Sequence, residues 1–387
     1  MLRDDPTNSF ALMASGSSTN RSNYLPSLDG WRAIAILWVL LGHSALWSMG
    51  SFSNDWLRQT RGRGVQLFFA MSGFLICTRL LREEGRFGGI SLRSFYTRRL
   101  FRIQPAALTY LLAVVILTVC GVLPRFWPGV LGAALMVRNI WPAAIPHGFW
   151  YTSHFWSLAV EEHFYLLLPG FLVLFRRSRL AILLGTAVAL EAWQIVVHHT
   201  PWLKSGHLWE LSQRTDMVMG GILLGSVFAV ALTDERLHRL AVSLLRPWVA
   251  LLYTAFVFVE VQRHHSVLAQ MSLITVYPVL IVATVLHADS LLSRFLELAP
   301  MRFIGRISYS LYLWQELFSN GEEKPDPHSL YAHVLLCLFG SFACAIASYY
   351  LIETPLIRRG HKIAKRFDLQ EAPRTQEVAP EIAAAAN

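Results

Sequence analysis

The residues with most chemical potential in this chain are ionisable groups set among apolar ones. "RAIAILWVLLGH" places Arg32 and His43 eleven residues apart, with only apolar residues between them. In a helix that spacing is three turns, so the two side chains lie about 20° apart around the axis and about 16 Å apart along it. "FWSLAVEEHFYLLLP" (155–169) sets Glu161, Glu162 and His163 among Phe155, Trp156, Phe164 and Tyr165. A histidine and a carboxylate at matching depth could form a base–orienter pair: the carboxylate fixes the tautomer and stabilises the cation formed when the imidazole takes a hydroxyl proton. Position alone also permits a core histidine bonded to a backbone carbonyl, and glutamates that snorkel to water.

A third stretch, "RSFYTRRLFRIQPA", carries Arg93, Arg98, Arg99 and Arg102. Arg98 and Arg102 share a helix face, with Arg99 beside them. Guanidinium groups grip phosphates bidentately, which suits a phosphate-rich ligand; the alternative is anchoring to anionic lipid, the stronger reading for Arg93. "GVQLFFAMSGFLI" offers only Ser72 as a nucleophile. It lacks a GxSxG context, so close helix packing around Gly64, Ser72 and Gly73 is expected instead.

The elements that must position these groups are membrane helices. The 387 residues are 54% hydrophobic and 15% charged, too little charge to cover a soluble protein of this length. Apolar runs of about twenty residues recur, the length needed to cross roughly 30 Å of hydrocarbon. A net charge of +9 could suggest nucleic acid, but the Arg residues fall between apolar runs, as a topology signal does, and no nucleic-acid partner is expected. Cys77, Cys120, Cys337 and Cys344 all lie in apolar runs without metal-ligand spacing, so buried thiols are expected and no metal. Residues 1–23 are polar and unlike a cleavable signal peptide.

The predicted fold is all-α: a polytopic membrane helical bundle with about ten spans. They fall near 31–50, 64–82, 104–123, 155–175, 180–198, 214–233, 240–260, 267–287, 303–320 and 331–356. The Pro- and Gly-rich stretch 129–146 is expected not to cross. With that segment excluded and the N-terminus cytoplasmic, 25 of the 34 Lys and Arg residues fall inside. Both termini are then expected to be cytoplasmic. Residues 1–23 form a tail, 24–360 the membrane domain, and 361–387 a basic, then disordered, tail with no appended catalytic domain.

These motifs together resemble the acyltransferase 3 family of integral-membrane O-acyltransferases. The likeness is colinear over about 24–357. It rests on "YLPSLDGWRAIAILWVLLGH", "GVQLFFAMSGFLI", "YTRRLFRIQPA", "FWSLAVEEHFYLLLP", "QRTDMVMGGILLG", "FIGRISYSLYLWQ" and "IETPL", seven segments in order. Two positions depart from the family pattern. Gln315 stands where histidine is frequent, so no acid–base role carries to it, and His163 stands where glutamine is common. The periplasmic esterase-like domain frequent in the family is not expected here.

The resemblance implies transfer of an acyl group, acetyl most often, from cytosolic acyl-CoA to a hydroxyl on a cell-surface or lipid-linked glycan at the outer face. It implies that His43 is the acid–base group, with a transient acyl-His43 as a variant. Glu162 or Glu161 would orient it, and Arg32 would reach towards the thioester. Arg98, Arg99 and Arg102 would hold the nucleotide, and Arg214, Asp216 and Asp29 the substrate. The acceptor stays open among carbohydrates, glycolipids and small secondary metabolites. The rival from another class is a transporter or flippase of a polar lipid-linked substrate, since buried charge also serves proton coupling.

Overall fold

A computed structural model describes residues 24–44, 54–141, 149–200, 213–264, 267–319 and 330–371; the predicted N-terminal tail and the end of the C-terminal tail lie outside them. Among the described residues every regular element is helical. A helix satisfies its backbone polar groups internally, which hydrocarbon demands. The order is α1 (Pro26–His43), α2 (Asn54–Phe87), α3 (Leu92–Val119), α4 (Trp127–Ala134), a 3₁₀ turn (Trp150–Thr152), α5 (Phe155–Leu174) and α6 (Arg179–His199). It continues with α7 (Thr215–Val218), α8 (Gly220–Ala231), α9 (Glu235–Leu244), α10 (Pro247–His264), α11 (Val267–Leu286), α12 (Leu291–Leu296) and α13 (Ala299–Phe318). α14 (Leu330–Ser348), a π-helical turn (Tyr349–Glu353) and α15 (Thr354–Glu371) complete it.

Each of the ten predicted segments holds a helix, but fewer are plain spans. Five stretches among the described residues are long and apolar enough to cross a membrane: 59–87, 92–119, 150–174, 179–197 and 334–368. The α9–α10 pair, bent by 73°, makes a sixth if counted as one. α1 falls short because it carries Asp29, Arg32 and His43, and α13 because it carries Arg302, Arg306 and Glu316. The groups that lower their hydropathy are the ones that could do chemistry. The expected span at 240–260 is corrected to an amphipathic helix, α9, followed by α10 from Pro247, a residue that starts a helix better than it continues one. In the 129–146 region α4 has only eight residues, about 12 Å of helix, too short to cross.

α3 shows how the bundle meets its surroundings. Leu108, Leu112, Ile116 and Val119 are exposed at helical spacing, while Ala107, Tyr110, Leu111 and Val114 on its other side are buried. An apolar stripe left outside the core suits a lipid-facing wall. Inside, α1 packs between α2 and α13, α2 crosses α8, and α15 lies along α3. Two crossings depend on glycine. A Cβ on Gly73 of α2 would overlap the Ile222 carbonyl oxygen of α8, and one on Gly305 of α13 would overlap the Asp29 carbonyl oxygen of α1.

One end of the bundle is tied by ion pairs. Glu84, near the end of α2, meets Arg179 at 2.6 Å at the start of α6. Glu83 meets Arg98 of α3 at 2.8 Å, and Arg98 reaches Asp368 of α15 at 3.5 Å. The arginines of 79–102, the basic 176–179 segment and the C-terminal helix therefore share one end, as the charge count grouped them.

Candidate functional site

The Arg-rich end opens into a cavity of about 100 Å³. Arg32 of α1, Arg99 and Arg102 of α3, Ser72 of α2, and Glu161 and Glu162 of α5 all line it. The three arginines come from two helices, and the fold brings Arg32 of α1 within charge–charge range of Arg102 of α3. Arg32 is held at 3.1 Å by Asp29, one turn earlier, which also accepts a hydrogen bond from Tyr24. Asp29, expected at the substrate, is thus a buried support for Arg32. Arg99 stands over the Tyr165 ring at 4.8 Å.

Arg98 does not join this lining. Its guanidinium is engaged by Glu83, Asp368 and the Ser94 hydroxyl, so it ties α2, α3 and α15 together. Arg79 is not in the lining either, but it lies within charge–charge range of Arg102, Arg99, Arg32 and Arg98. Among the described residues Arg79, Arg99 and Arg102 have no carboxylate in an ion pair. The arginines outnumber the carboxylates beside them, Glu161 and Glu162, and a polyanion relieves the repulsion that remains. Arg93 is exposed, in keeping with an anchor.

At the cavity's middle, Glu161 accepts hydrogen bonds from Ser72 Oγ at 3.1 Å and Tyr165 OH at 2.5 Å. The expected pairing of Glu161 or Glu162 with His43 is replaced by another. α1 ends at His43, where the Ser44 amide caps the Leu40 and Leu41 carbonyls. The imidazole therefore stands level with the start of α5 and the end of α13, about two turns above Glu161. Its carboxylate partner is Glu316 of α13, with His43 Nε2 at 3.8 Å from Glu316 Oε2. Glu316 is buried, and Ser153 Oγ (3.0 Å) and Gln315 Nε2 (2.7 Å) donate to its two oxygens.

The other ring nitrogen settles the tautomer. His43 Nδ1 lies 3.0 Å from the Val39 carbonyl oxygen, an acceptor only, so Nδ1 carries the proton and donates. In the neutral ring Nε2 then keeps its lone pair, on the side that faces Glu316. The backbone bond that made a core histidine conceivable is also what prepares a base: Nε2 can take a proton, and the carboxylate beside it stabilises the resulting cation.

The segment before α5 connects the two levels. Tyr312, which lines the cavity, donates to the His154 carbonyl at 3.1 Å, and its OH lies 2.5 Å from Ser157 Oγ. His163 points elsewhere, with Nδ1 2.8 Å from Thr215 Oγ1, beside the exposed Arg214–Asp216 pair at 3.0 Å. Thr215 also accepts from Asn139 Nδ2 at 3.0 Å. The structure thus brings Arg32, Arg99, Arg102, Glu161 and Glu162 to one cavity and keeps Arg214 and Asp216 off its lining.

Glu316, Arg79 and His154 were missed by reading the sequence. Arg79 had a signal: it is seven residues after Ser72, two turns along the same face. Glu316 had one too, as an ionisable group in an apolar run, but it lies four residues from the predicted span end, where charge can reach water.

Comparison with known proteins agrees with the motif order. The acyltransferase-domain family Acyl_transf_3 matches residues 25–351. O-acetyltransferase OatA of Staphylococcus aureus is 30% identical over 365 residues, covering 88% of this chain and 58% of the relative. The putative peptidoglycan O-acetyltransferase YrhL of Bacillus subtilis is 28% identical over 379 residues (90% and 57%). Peptidoglycan O-acetyltransferase OatA of Listeria monocytogenes is 27% identical over 364 residues (87% and 56%). The chain therefore spans less than two thirds of the length of these relatives. No solved structure matches it. With the family pattern covering most of its length, the chain belongs to the acyltransferase 3 family.

Proposed function

We propose that the chain is a membrane O-acyltransferase that takes an acyl group, acetyl in the first instance, from cytosolic acyl-CoA and delivers it to a hydroxyl of a cell-wall or lipid-linked glycan at the outer face. The observation that carries this reading is the order of groups through the bundle. Unpaired guanidiniums stand at one end of the cavity, and a tautomer-fixed histidine with a buried carboxylate stands beyond the other. The names of the relatives, O-acetyltransferases of peptidoglycan among them, support the acyl group and the acceptor class.

The donor fits the residues present. Arg79, Arg99 and Arg102 suit phosphates, and Arg32 lies one step further in, towards the thioester. The nucleotide would lie at the Arg-rich mouth, with its thioester arm in the cavity that Arg32, Arg99 and Arg102 line. His43 Nε2 would accept the acceptor's proton as its oxygen attacks the thioester carbonyl. Glu316 would stabilise the imidazolium, and His43 would return the proton to the departing thiolate. No acyl-histidine is needed for this sequence. Both termini and the Arg-rich end are assigned to the cytoplasm, on the inside excess of Lys and Arg. Mass spectra of surface glycans from a deletion strain and its parent test the reading. Loss of one acyl mass from a glycan is expected; identical spectra would contradict it.

A further inference from the structure

His154 is only 3% exposed, and among the described residues neither ring nitrogen has a hydrogen-bond partner. Buried polar atoms are nearly always paired, so two orphans on one ring ask for a ligand. Ring packing does not account for them. The imidazole sits 5.2 Å from Tyr110, 4.8 Å from Phe155 and 5.6 Å from Tyr312 between ring centroids, contacts that a phenylalanine would make without orphaned nitrogens. Its surroundings are the reaction level: Glu316, His43 and Arg138 all lie within charge–charge range. Arg138 is also only 3% exposed, with Nε unpartnered and no carboxylate paired to it among the described residues. The backbone that carries the ring is anchored: Tyr312 OH and Ser157 Oγ both lie 3.1 Å from the His154 carbonyl oxygen and 2.5 Å from each other.

We propose that His154 is a catalytic residue, the hydrogen-bond donor for the oxyanion of the acyl-transfer step, with Arg138 adding positive potential behind it. This rests on the acyltransferase reading above. In that step the acceptor oxygen bonds to the thioester carbonyl carbon while its proton passes to His43 Nε2. The carbonyl π electrons move to oxygen, which then carries the negative charge. The charge collapses back as the C–S bond breaks, and the thiolate takes the proton from His43. A neutral imidazole has one N–H to give, and a donor already fixed where charge develops needs no reorganisation. His43 supplies the lone pair and His154 the N–H, so the two histidines divide the base and electrophile roles.

The test uses the purified full chain in proteoliposomes, with radiolabelled acetyl-CoA and soluble peptidoglycan fragments. His154→Phe keeps the ring packing and removes the donor; His154→Gln keeps an N–H. His154→Phe should lower kcat by about 10²–10³-fold, the usual loss for one oxyanion donor. The KM for acetyl-CoA should stay within about twofold and the unfolding temperature unchanged, with kcat of His154→Gln between Phe and wild type. A His154→Phe variant with wild-type kcat overturns the inference. So does a loss that follows only the folded fraction in both variants. If that happens while the wild type transfers and His43→Ala does not, the acyltransferase reading stands without this donor. If the wild type transfers nothing from any acyl-CoA, both fall together.

Discussion

His43 Nε2 lies 3.8 Å from Glu316 Oε2 while its Nδ1 donates to the Val39 carbonyl at 3.0 Å. Helix α1 thus fixes the tautomer with its own backbone, and α13 supplies the charge that an imidazolium would need. The two helices are locked in register by the contact of Gly305 with the Asp29 backbone, so the pair depends on a packing feature at the opposite end of both.

Removing the Glu316 charge should impair transfer without loosening the bundle greatly. Glu316→Gln keeps the volume and one acceptor for Ser153. Its kcat is expected to fall by about 10²-fold or more, in the range for a general acid–base group. Single-turnover transfer from labelled acetyl-CoA checks this. Glu161→Gln should leave the His43 arrangement intact, because Glu161 bonds Ser72 and Tyr165 instead.

At the Arg-rich mouth, Arg79→Gln, Arg99→Gln and Arg102→Gln should each raise the KM for acetyl-CoA about tenfold, or about 1.4 kcal/mol, with a smaller effect on kcat. Arg98→Gln should behave differently. It breaks the links to Glu83 and Asp368, so unfolding temperature should drop while donor KM holds. Titration of KM and a thermal melt on the same preparations separate the two classes.

Much of this was legible in the sequence, and what was not has a physical cause. The Arg32–His43 spacing predicted one helix face, and α1 has it. The arginines of α3 were predicted to lie together on one side of their helix, and Arg99 and Arg102 line the cavity. The partner of His43 could not be read, because depth was judged from an apolar run extending to residue 50, whereas α1 ends at His43. That difference of two turns moves the histidine from the level of Glu161 to that of Glu316. Arg98 was misjudged for another reason: its carboxylates sit 15 residues before it and 270 after it, on helices whose approach no local pattern announces.

The glycine crossings give a stability prediction. Gly73→Ala and Gly305→Ala each push a methyl into a backbone carbonyl, a neighbour that cannot rotate away. Overpacking of this kind costs about 1–3 kcal/mol. Reduced unfolding temperature in detergent is expected for both, and Gly62→Ala, where an added Cβ meets nothing within 4 Å, serves as the control.

Orientation follows from single cysteines placed at opposite ends in a cysteine-free background. Lys365→Cys on α15 and Arg125→Cys beyond α3 are both at exposed positions. A membrane-impermeant maleimide should label Arg125→Cys in intact cells and Lys365→Cys only after the cells are opened. The reverse pattern would swap the faces assigned to donor and acceptor.

The most direct measurement is vectorial transfer. Purified protein is oriented in proteoliposomes with radiolabelled acetyl-CoA on the Arg-rich side and soluble peptidoglycan fragments on the other. Label should appear in the fragments with wild-type protein, and fall by about 10²–10⁴-fold with folded His43→Ala. Equal labelling by His43→Ala, or none by the wild type with any acyl-CoA, would contradict the account.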